Sequence, residues 1–132
     1  MNKRKLREEA RLYFLPVLLG SNRHSHALAM SIFNRYGICS YILDRKRSFW
    51  DLFDLSARFS MIYGSEQELL CDQLITLASS EAYTLPILIP TNSEYVRAVA
   101  EQRSRLETVF VFCEPDRVFS DSPFANFFAS KL

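Results

Sequence analysis

Glycine is scarce in this chain, with three residues in 132, at positions 20, 37 and 64. A dinucleotide loop of the Gly-x-Gly-x-x-Gly type needs backbone without Cβ atoms so that a pyrophosphate can approach it. Only Gly20 is present, with Asn22 and Ser25 where the pattern asks for small residues, so tight binding of a nicotinamide or flavin dinucleotide is not expected. No Gly-Lys-Ser/Thr occurs, which excludes a Walker loop. An excess of charge of one sign is also missing: 16 basic residues face 15 acidic ones, and a net charge of +1 gathers neither nucleic acid nor an anionic membrane. The apolar runs stop after a handful of residues, far short of the roughly 20 that span a bilayer, and no signal-peptide core opens the chain. The three cysteines, Cys39, Cys71 and Cys113, form no Cys-x-x-Cys pair, which suits buried, reduced thiols in a cytoplasmic protein. Ser130-Lys131-Leu132 spells a peroxisomal address, a pattern that an arbitrary chain end also shows.

What is present is alternation. Residues 1–12 are highly charged with scattered leucines and read as an exposed helix or a frayed leader. Leu15–Leu19 is a short apolar run closed by Gly20, as a strand buried on both faces requires. Ser21 or Asn22 then caps a helix with Ala27, Leu28, Ile32, Phe33 and Tyr36 at helical spacing, stopped by Gly37. Ile38–Leu43 reads as a second strand closing on Asp44, which makes the unit βαβ. A short helical segment around 49–55 and a brief strand over 59–63 follow, with a break at Gly64-Ser65. A helix over 66–79 places Leu69, Leu70, Leu74, Ile75 and Ala78 on one stripe. Leu85–Ile89 reads as a fourth strand, Thr91 and Glu94 have capping-box spacing for the next helix, and Thr108–Cys113 reads as a fifth strand.

Five alternations predict an α/β, Rossmann-like three-layer fold with a five-stranded, mostly parallel sheet over residues 13–118. Residues 119–132 carry Phe124, Phe127 and Phe128 on a helical stripe that no later element buries, so a partner subunit or further domain is expected to cover it.

The chemistry-bearing residues admit more than one reading. In an open parallel sheet, ligands lie beyond the carboxyl ends of the strands where strand order reverses, here between the first and fourth strands. Gly20, Ser21, Asn22 and Arg23 would then face Thr91 and Asn92 across a crevice and hold a carboxylate or phosphate at two helix N-termini. Helix caps without a ligand explain the same residue types. Asp44 stands where a ribose-binding acid would, yet Arg45, Lys46 and Arg47 also suit a solvated turn with local ion pairs. His24 and His26 point to different sides of a helix and have no third ligand, so zinc is not expected. Ser21 with His24 lacks a nucleophile elbow and an orienting acid, which argues against a hydrolase. Phe49, Leu52, Phe53 and Leu55 have the helical spacing of core residues, with a stacking surface as the alternative.

Two stretches, "FLPVLLGSNRHSHALAMSIFNRYGICSYILD" and "LPILIPTNSEYVRAVAEQRSRLETVFVF", resemble the N-terminal pre-ATP-grasp domain of ATP-grasp carboxylate–amine ligases, the D-aspartate ligases above all. The Leu-Gly-Ser turn, the Tyr-Gly helix ending and the strand closing on Ile-Pro carry the resemblance over residues 13–128. It implies a domain that shapes the substrate side of a cleft and is not catalytic alone, with no catalytic residue, cofactor or metal of its own. ATP and magnesium would sit between later domains, where a carboxylate becomes an acyl phosphate that an amine then attacks. Carried over by position, Gly20, Ser21, Asn22, Thr91 and Asn92 border the pocket for a carboxylate or amino-acid substrate, and Arg23 and His24 are this chain's own additions to the turn. The alternative is a free-standing Rossmann-like binding domain whose aromatic tail makes a homodimer.

Overall fold

The computed structural model describes residues 2–64, 66–80 and 84–131; Ser65 of the expected break and Leu132 of the address lie outside them. Eleven main elements follow in order: α1 (Lys3–Tyr13), β1 (Phe14–Leu19), α2 (Arg23–Tyr36), β2 (Ser40–Asp44), β3 (Ala57–Met61), α3 (Gln67–Ser80), β4 (Leu85–Pro90), α4 (Ser93–Glu101), α5 (Arg103–Leu106), β5 (Val111–Phe112) and α6 (Pro123–Lys131). Single 3-10 turns occupy Phe49–Leu52 and Pro115–Arg117.

The sheet runs β3-β2-β1-β4-β5 with every pair parallel. All six residues of β1 are buried, because β1 is the central strand and helices cover both faces. The period of two sorts its side chains: Leu15, Val17 and Leu19 join one core with Leu74, Tyr95, Val99 and Leu106 from α3, α4 and α5. Phe14 and Leu18 join the other with Ala10, Ile32, Tyr36 and Phe124 from α1, α2 and α6. Leu18 on β1 faces Ile42 on β2 and Ile89 on β4, and a fully buried side chain of this size contributes about 1.5–3 kcal/mol. The result is the three-layer α/β, Rossmann-like architecture that the alternation predicts. Among the described residues, no helix is long and apolar enough to cross a membrane.

Several local expectations change. The charged leader is neither frayed nor solvated all round: Asn2 caps α1, Leu6 and Ala10 are fully buried, and the Arg7 guanidinium donates to the carbonyls of Asn34 and Arg35 at the end of α2. The phenylalanine tail is covered by the chain itself. Phe124 is fully buried against Phe14 and Tyr36, while Phe127 and Phe128 are half-buried on Phe14 and Tyr36 respectively, so no partner is needed to shield that stripe. In α2 the buried stripe runs through Ser25, His26, Leu28, Ala29 and Ile32, leaving Ala27 and Phe33 exposed. The fifth strand shrinks to two residues because the amides of Val109 and Phe110 turn back to the Leu106 carbonyl. Cys71 and Cys113 are buried and free, but Cys39 is exposed. Burial, with Asp121, Glu114 and Asp116 adding to it, pushes the Cys113 thiol up to about 11 and leaves it inert at neutral pH.

Candidate functional site

Strand order reverses at β1 and β4, and the two turns that follow these strands meet at the carboxyl edge. The Thr91 amide and hydroxyl both donate to the Leu19 carbonyl, at 2.9 and 2.7 Å. Gly20, at φ +110°, donates its amide to Leu43 on β2 at 2.8 Å. A methyl group added at Gly20 would lie 2.6 Å from Thr91 Oγ1, 2.9 Å from Asn92 Nδ2 and 3.5 Å from Asn22 Nδ2. The expected facing of the turns is therefore real, but they touch, and Gly20 and Thr91 are spent on closing them together rather than on lining an open crevice.

Each turn starts a helix. Asn22 Oδ1 accepts from the Ser25 amide at 2.8 Å, and Ser25 Oγ accepts from the Asn22 amide at 3.0 Å, a reciprocal cap. Asn92 Oδ1 accepts from the Tyr95 amide at 3.0 Å, so Asn92, not Thr91 with Glu94, is the cap of α4. The carboxamide NH2 groups of both asparagines converge on the space above Gly20. Arg23 and His24 in the first turn of α2, and Ser93 and Glu94 in that of α4, are exposed beside it.

Asp44 is neither a free ribose ligand nor a solvated turn residue. Its Oδ2 accepts from the Ser21 amide at 2.7 Å, and its Oδ1 accepts from the Arg45 amide and the Tyr95 hydroxyl, both at 2.7 Å. It thereby ties the end of β2 to the first turn and to α4. Burial, then the Asp44 hydrogen bond and charge, raise the Tyr95 phenol well above its ordinary value and keep it a donor.

The sequence gives little warning of the polar cluster beside this edge. His26 is buried, with Nδ1 at 2.5 Å from Asp54 Oδ2 and Nε2 at 2.6 Å from Asp51 Oδ1. The Asp51 side chain is 0% exposed and that of Asp54 6%. Ser21 Oγ donates to Asp51 Oδ1 at 2.6 Å and lies 2.8 Å from Ser48 Oγ; the Ser48 amide donates to Asp51 Oδ2. Burial alone would raise the Asp54 carboxyl, yet the Ser56 hydroxyl and amide together with His26 outweigh it and hold it below its usual value. A carboxylate oxygen lies against each ring nitrogen, so neither nitrogen is free. Ser21, His26 and Asp54 thus stand in the order of a hydrolytic triad, but Ser21 Oγ is 3.3 Å from a nitrogen already committed to Asp51. No base is free to take the serine proton, and His24 is exposed, away from this buried pair. The one legible signal was the Ser48-x-x-Asp51 capping spacing.

The segment that His26 pins down is not core. Phe49, Leu52, Phe53 and Leu55 are 65–92% exposed, contrary to the core reading. With Met30 and Ala27 of α2, Trp50 and Phe53 wall a cavity of about 380 Å³ whose floor includes His26 and Asp54 and whose rim includes Arg23. Arg23 has no carboxylate partner among the described residues, where no group of three or more His, Cys, Asp or Glu side chains is placed to hold a metal either. The structure thus brings together Gly20, Ser21, Asn22, Thr91 and Asn92, and leaves Arg23 uncommitted at an apolar cavity.

No family model, curated protein or solved structure matches the chain.

Proposed function

We propose that this chain is the N-terminal, pre-ATP-grasp-like domain of an ATP-dependent carboxylate–amine ligase, and that its carboxyl edge shapes the pocket for the acid or amino-acid substrate. The observation that carries the reading is the β1–β4 switch point: two asparagine-capped helix N-termini side by side, with Arg23 unpaired next to them. Helix N-termini and a guanidinium favour a carboxylate, and Arg23 suits it best through a two-toothed contact. Trp50, Phe53 and Met30 add an apolar wall for the remainder of the substrate.

No phosphate loop and no metal-holding cluster is among the described residues, so the reacting ATP and its magnesium would bind to other parts of a longer gene product. In such a ligase the substrate carboxylate attacks the γ-phosphate of ATP with release of ADP, and the amine then displaces phosphate to form the amide.

A second reading, a free-standing binding or dimerisation domain, now rests on the exposed Phe49, Leu52, Phe53 and Leu55 instead of the phenylalanine tail, which α1 and α2 occupy. The product of the complete gene, assayed with ATP, magnesium and pairs of amino acids, separates the two. The ligase reading expects phosphate release that needs both an acid and an amine, and hydroxamate formation when hydroxylamine replaces the amine. Absence of both, with every pair tested, favours the binding domain.

A further inference from the structure

A second cavity, of about 470 Å³, lies behind the opposite edge of the sheet, where α1, the end of α2 and α6 meet. It has an unusual lining for a structural gap. Lys3, Arg7 and Arg35 line it together with the rings of Tyr36, Phe119 and Phe128. Tyr36, only 3% exposed, packs on Phe119 and Phe128 with centroids 5.7 and 4.7 Å away and ring planes inclined by 29° and 35°, so the wall presents the half-buried Phe119 and Phe128 rings. The Arg35 guanidinium sits 5.3 Å from the Phe119 centroid, which holds its charge at the mouth.

None of these three cations has a carboxylate partner among the described residues. The nearby acids are engaged elsewhere: Glu8 pairs with Arg4, and Asp121 with Arg117. Arg7 spends one nitrogen on two helix carbonyls and keeps its other donors. Ser120 and Asn126, also in the lining, have side chains with no hydrogen-bond partner among the described residues and offer further donors and acceptors. All three cations are exposed and screened by water, and none is tied up by a carboxylate, so they stay available to an anion.

We infer that this cavity is a nucleotide-binding site, with a heteroaromatic base against the Phe119 and Phe128 rings and phosphate oxygens between Lys3, Arg7 and Arg35. Flat rings select a planar base, and Asn126 reads its polar edge. The pairing of stacking with charge-assisted hydrogen bonds explains why neither an inorganic anion nor a bare nucleoside would suffice. The site lies at the amino-terminal edge, away from Arg23, and does not depend on the ligase reading.

The test is calorimetric titration of this chain with ADP, adenosine and pyrophosphate, without magnesium. ADP is expected to bind with a dissociation constant below about 1 mM, and each fragment about tenfold or more weaker. Arg35→Gln, and separately Lys3→Gln, should weaken ADP about tenfold, whereas Lys46→Gln, at an exposed position just after β2, should not. Unchanged thermal unfolding of the two variants shows that the fold survives. No binding of ADP, pyrophosphate binding as tightly as ADP, or an equal loss with Lys46→Gln would each overturn the assignment.

Discussion

Replacing His26 with leucine is expected to cost about 3–5 kcal/mol, because the substitution fills the space but leaves the buried Asp51 and Asp54 carboxylates without the side chain that bridges them. In a chain of this size that is a fall of roughly 10 °C or more in Tm. The reason lies in geometry: Asp51 has no exposed side-chain surface, and its remaining partners, the Ser21 and Ser48 groups, are neutral donors. Urea unfolding of the native chain, His26→Leu, Asp51→Asn and the double variant checks it. Adding Asp51→Asn to His26→Leu should recover part of the loss, since a neutral amide is cheaper to bury than an orphaned carboxylate. A loss below about 1 kcal/mol for His26→Leu, or no recovery in the double variant, would mean that water reaches the cluster and that His26 does not hold the 48–56 segment.

Gly20→Ala is the second large effect. Gly20 has φ +110°, a region that L-residues rarely enter, which alone costs of order 1–3 kcal/mol. The new methyl would also lie 2.6 Å from Thr91 Oγ1, an atom held in place by its bond to Leu19, so the β1 and β4 turns must part. A total loss of about 2–4 kcal/mol is expected in chemical denaturation. Thr91→Ala in the same chain should relieve the collision but not the backbone strain, and so restore only part of the stability. Full restoration would show that the backbone tolerates alanine there; no loss at all would show that the two turns are not packed together.

The layer architecture was legible because the chain writes it in period and punctuation. Buried runs at 15–19 and 85–89, each followed by a turn and a helical stripe, leave a parallel sheet as the only way to bury both faces. The meeting of the Gly20 and Thr91 turns followed from the strand order that such a sheet adopts. Legibility failed where a side chain's fate depends on a distant element. Asp51 and Asp54 sit among aromatic residues, and nothing local says that His26, some 25 residues earlier, lies between them. The same aromatic run has the spacing of a core helix, but the 3-10 turn at Phe49–Leu52 is held by polar groups beneath it, so its rings face outward. The phenylalanine tail misled in the other direction, because the leader helix that half-covers it looked too charged to dock; Leu6 and Ala10 were enough.

The claim that the β1–β4 edge receives the substrate carboxylate is tested most directly at Arg23, whose side chain is exposed and makes no bond that the fold needs. In the complete gene product, Arg23→Gln should raise KM for the acid substrate about tenfold while KM for ATP stays within about twofold. An unchanged KM for the acid, or a rise in KM for ATP that keeps step with it, would place the carboxylate somewhere else.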